Sequence, residues 1–99
     1  MGYADDPEQY RSEFQFELVG PDARFTNDQF DAINREILIW SLNDAVPCEV
    51  VRTPAGFSVM THHSLDVGIV YGRRLHQHLA KGIFRKLNAD GVSFTYLGK

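Results

Sequence analysis

Glu13-Phe14-Gln15-Phe16-Glu17-Leu18, followed seven residues later by Phe25-Thr26-Asn27-Asp28-Gln29-Phe30, is the stretch on which the fold turns. The first six residues alternate polar and apolar side chains, the period-two pattern of a strand with one buried face. Gly20-Pro21-Asp22 ends that strand in a turn. In the second hexapeptide Thr26 stands at a helix N-cap with Gln29 three residues on, the pattern of a capping box, and Phe25 and Phe30 occupy the two positions of a hydrophobic staple. From there the period changes. At about 100° per residue Phe30, Ile33, Ile37 and Trp40 share one helical face, which is expected to pack on the sheet. Asn43-Asp44 and Pro47 predict the end of this helix. Leu38, Ile39 and Leu42 are left pointing away from that face, so either the core wraps widely around the helix or a partner covers them.

Further along the chain, residues 47–53 predict a second strand and residues 57–62 a third, joined by Thr53-Pro54-Ala55-Gly56. In that turn proline presets φ and glycine accepts conformations closed to other residues. Ser64 is placed to cap a second helix running to about Asn88, and residues 92–97 alternate as a last strand. On the second helix Leu65, Ile69, Leu75, Leu79, Ala80, Ile83 and Leu87 gather on one side with Gly68, Gly72 and Gly82. Three glycines there predict a close approach of the helix to the strands or to the first helix. Residues 1–12 show no apolar period and read as a flexible arm before a single domain over residues 13–99.

The resulting order, β-α-β-β-α-β in a chain of 99 residues, closes most simply as an α+β sandwich of the ferredoxin-like type. Its expected form is a four-stranded antiparallel sheet with two helices on one face. That architecture hosts many unrelated functions, so function has to be argued from the residues.

Charge is sorted by position. Residues 1–49 hold eleven carboxylates against three arginines, a net −8, whereas residues 50–99 hold seven lysines and arginines against two carboxylates, a net +5. Six of those seven cations and all four histidines lie between Arg52 and Lys86, which predicts a basic ridge beside an acidic body. On the polar side of the second helix Val67, Val70, Tyr71, Arg73, Arg74, His78, Lys81, Phe84 and Arg85 mix cations, aromatics and aliphatics. Arginine and aromatic residues are enriched at binding surfaces, so these nine are the expected partner-binding residues.

Other chemistries find less support. His63 and His76 are thirteen residues apart, about 20 Å along a helix, so one ion cannot join the two histidine pairs and no metal is expected. His76 falls in the apolar arc and reads as a core or interface histidine, and Cys48 reads as a small buried hydrophobe. There is no glycine-rich phosphate loop and no Ser-His-Asp order, so no cofactor is expected. A pI of about 5.7 and few rings on the open sheet face argue against nucleic acid. No apolar run approaches the roughly 20 residues of a membrane span, and the single cysteine precludes an internal disulfide, which together predict a cytoplasmic protein.

The expected function is therefore a small non-enzymatic adaptor or inhibitor that binds a protein partner with an acidic surface, with a homodimer as a further possibility. The alternatives are a small homodimeric enzyme with a histidine acid/base between helices and sheet, and a nucleic-acid-binding protein.

Overall fold

The computed structural model describes residues 11–20, 24–62 and 68–98. Its elements are β1 (Arg11–Leu18), α1 (Asn27–Asp44), β2 (Cys48–Thr53), β3 (Gly56–His62), α2 (Gly68–Lys81), α3 (Ile83–Ala89) and β4 (Phe94–Gly98). The architecture is α+β: the strands form one antiparallel sheet in the order β2-β3-β1-β4, and among the described residues the helices number three where the sequence predicted two.

Alternation in β1 does what its composition predicts. Ser12, Phe14 and Phe16 are buried while Glu13, Gln15 and Glu17 are exposed. The strand begins two residues earlier than expected, so Arg11 and Ser12 belong to the sheet and not to an arm; residues 1–10 lie outside the described residues. Phe16 pairs in register with Phe57 of β3, and their rings stack with centroids 4.7 Å apart. Phe84 and Phe94 complete this aromatic centre, and Ile33, Ile37, Val59, Leu75 and Leu79 fill the rest of the core.

Helix α1 starts where its cap predicts. The Gln29 backbone N–H donates to Thr26 Oγ1 at 3.2 Å, the Thr26 N–H donates to Gln29 Oε1 at 2.9 Å, and the Phe25 and Phe30 rings meet edge to face at 6.1 Å. The helix buries Ile33, Ile37 and Trp40 and ends at Ala45, which takes the left-handed conformation with φ 55°.

The predicted second helix divides. Gly82 leaves the helical region at φ −118° and ψ −101°, so α2 ends at Lys81 and α3 restarts at Ile83. A residue without a Cβ makes this break at little cost, and the break resets the helical phase. Phe84 thereby turns into the core beside Leu87, which was expected there, while Ala80, expected on the buried side, is exposed. The expected close approach is found at Gly72: a Cβ there would collide with the Tyr96 hydroxyl and lie 2.9 Å from Phe14 Cε1. At Gly82 a Cβ would meet nothing nearer than the His78 carbonyl oxygen at 3.5 Å, so this glycine serves the break and not the packing. The predicted cap at Ser64, together with Leu65 and Val67, lies outside the described residues. Strand β4 starts two residues later than expected, because Val92 is buried in the connection from α3, with its N–H donating to the Leu87 carbonyl at 2.9 Å.

Candidate functional site

The nine residues expected to form a contact surface on the second helix do not all meet. Val70 is half exposed, and Arg73, Lys81 and Arg85 are exposed. Tyr71 is half-buried and packs against the core. Phe84, expected on the ridge, is only 6% exposed and stacks on Phe94 with ring centroids 5.4 Å apart. The break at Gly82 is the reason: a continuous helix would have carried Phe84 toward solvent, and the interrupted one turns it inward. Val67 lies outside the described residues.

Arg74 and His78 lie one turn apart and lean toward α1. Arg74 Nη1 is 3.7 Å from Asp44 Oδ2, and His78 Nε2 is 3.5 Å from Glu36 Oε1. The second contact lacks hydrogen-bond geometry, since His78 Nε2 is buried without a hydrogen-bond partner. It is a charge contact only when the imidazole is protonated. Part of the basic stripe thus faces the acidic helix of its own chain. Arg52 also leaves the ridge: its guanidinium lies 4.8 Å from the Phe25 ring centroid and donates to Asn27 Oδ1 and the Phe25 carbonyl oxygen, which clamps the start of α1 to β2.

His76 sits among rings, with centroids 4.9 Å from Tyr96 and 6.1 Å from Phe16, in keeping with a packed histidine. Burial raises the Tyr96 phenol's pKa above its usual value, and the nearby Arg73 charge partly opposes this. Burial likewise raises the Cys48 thiol, opposed in part by a hydrogen bond with Ser41; its S–H donates to the Val46 carbonyl at 3.1 Å. His63 and the His62 side chain lie outside the described residues, among which no group of three or more His, Cys, Asp or Glu is placed to hold a metal. No helix among the described residues is long and apolar enough to cross a membrane.

On the outer side of α1, Leu42 is 82% exposed, Leu38 51% and Ile39 42%. Leu42 faces directly away from Ile33, Ile37 and Trp40 and the other two flank it, so the core does not wrap around to cover them. A shallow depression of about 340 Å³ continues this apolar strip past the helix end, lined by Ser41, Leu42, Ala45, Val46 and Pro47. A second recess of about 350 Å³ lies at the end of the β2–β3 hairpin between Gln15, Glu17, Thr53, Pro54 and Leu97. Leu97 continues the alternation of β4, exposed with Thr95 while Phe94 and Tyr96 turn inward, and a register shift in the β1–β4 ladder sets two residues of β4 against one step of β1. Such a bulge leaves no signature in a single sequence. Compared with known proteins, the chain matches no family model, no curated protein and no solved structure.

Proposed function

We propose that this protein is a non-enzymatic interaction module, an adaptor or inhibitor, that binds an acidic protein partner through the outer surface of its helices. The observation that carries the reading is the set of exposed side chains on α2 and α3: Val70 half exposed beside exposed Arg73, Lys81 and Arg85. Cations of this kind steer and orient an acidic partner, while the apolar strip on α1 supplies contact area that loses water on binding. Arg74 and His78, already facing Asp44 and Glu36, hold the α1–α2 seam and add less to a partner. The ferredoxin-like reading of the fold belongs to this proposal and is supported by the strand order β2-β3-β1-β4 with every pairing antiparallel.

The test is capture from native lysate at low and high salt, comparing the natural chain with a triple charge reversal at Arg73, Lys81 and Arg85. A stoichiometric, salt-sensitive protein partner that the reversed variant loses, with its circular dichroism unchanged, supports the reading. Equal capture by both chains, or capture of nucleic acid alone, refutes it. The exposure of Leu38, Ile39 and Leu42 favours a second reading, a homodimer through α1. Light scattering that shows a monomer for the natural chain at high concentration eliminates that one.

A further inference from the structure

The helices cover one face of the sheet and leave the other open. A row of side chains crosses the centre of that open face: Val51 pairs with Ser58, Ser58 pairs with Gln15, and Leu97 stands beside them at the β4 bulge. Val51 is 50% exposed and Leu97 49%. Carboxylates flank the row on both sides, Glu13 and Glu49 in the next row, each paired with Met60, and Glu17 in the row beyond. Among the described side chains this face carries no lysine or arginine. Glu13 is held in place by the Ser58 hydroxyl, which donates to its Oε2 at 2.6 Å.

The recess at the hairpin end opens onto this face. Gly56 lets β3 close tightly on β1 beside the recess, since a Cβ there would collide with the Phe16 carbonyl oxygen. The walls are apolar at Pro54 and Leu97, and Glu17 supplies a carboxylate at the rim.

From this geometry we infer that the open sheet face is a docking surface for a basic segment of a partner protein, with one lysine or arginine side chain entering the recess. A long cationic side chain has the matching parts: its aliphatic stem lies along Leu97 and Pro54 and its charge meets Glu17. Val51 and Leu97 supply desolvated contact, and Glu13 and Glu49 set orientation and rate of encounter. Acidic peptides, nucleic acid and anionic lipid would each bring like charge against the three carboxylates. The surface is separate from the α2–α3 ridge and takes a partner of opposite sign.

The test is an amide NMR titration of the whole chain with a nona-arginine peptide, with nona-glutamate as control. The expected result is saturable shifts centred on Gln15, Glu17, Val51 and Leu97, no response to nona-glutamate at those positions, and amides of α2 and α3 unmoved. Affinity for nona-arginine falls about fivefold in Glu17→Gln/Glu49→Gln, two exposed charges whose removal leaves the fold intact by circular dichroism. Shifts spread equally over Asp28, Asp31 and Asp44, unchanged affinity in the double variant, absence of saturation, or self-association of the free chain through this face would each overturn the inference. None of these outcomes bears on the ridge.

Discussion

Gly72 shows how one atom can decide a position. Alanine is the better helix former by about 1 kcal/mol, yet a Cβ at residue 72 has to displace the Tyr96 hydroxyl and the Phe14 ring. Gly72→Ala is therefore expected to destabilise the fold by about 1–3 kcal/mol despite its propensity, measured as a shift in the urea midpoint. Cys48 makes the complementary point about chemistry. Desolvation raises its thiol above the ordinary value, so at any given pH less thiolate is present than in a free cysteine. Alkylation of Cys48 by iodoacetamide at neutral pH should be slower than that of a cysteine peptide and should accelerate only at higher pH. An equal or faster rate would mean that the site is more open or more polar than its packing implies. Both residues were prominent in the sequence, Gly72 as one of three glycines on an apolar face and Cys48 as the only cysteine. What made Gly72 different from Gly82 is the aromatic pair of Phe14 and Tyr96 pressed against it, which comes from residues far away in the chain.

Helix α1 was the most legible element because its signals are local. Capping box and staple lie within six consecutive residues, and the structure contains both. Thr26→Ala removes the cap and should cost about 1 kcal/mol of stability. The other end offers a gain. Ala45 holds the left-handed conformation that glycine takes without a Cβ penalty, so Ala45→Gly should raise stability by about 0.5–1 kcal/mol, read from thermal or urea unfolding. No change on this substitution would show that the entropy lost by glycine on folding cancels the relief. The second helix was less legible. Apolar periodicity ran through residue 87 as though unbroken, and only the demand for Phe84 in the core shows why the chain breaks at Gly82. A pattern of period 3.6 reports which residues can share a face, and a break that resets the phase is invisible to it unless the packing is known.

At the scale of the whole molecule, burial separates residues that look alike in sequence. Ile37 and Leu42 are both large aliphatics on α1, but Ile37 is fully buried whereas Leu42 is the most exposed of the large hydrophobics among the described residues. Ile37→Ala should therefore cost about 2–5 kcal/mol in urea unfolding, and Leu42→Ser should stay within about 0.5 kcal/mol. A large cost at Leu42 that fades as the protein is diluted would mean that a second copy covers it. Charge follows the same rule. The division into an acidic and a basic half was plain in composition, but folding redistributes it: Arg74 and His78 face carboxylates of α1, Arg52 clamps the start of that helix, and Glu13, Glu17 and Glu49 gather on the open sheet face. The sequence by itself determined the strands, the first helix and the identity of most core residues, because caps, turns and periodicity act between near neighbours. Tertiary structure alone decided which cations meet carboxylates of their own chain, where the second helix breaks and where the sheet leaves a recess, because each of these depends on groups that only folding brings within a few ångströms.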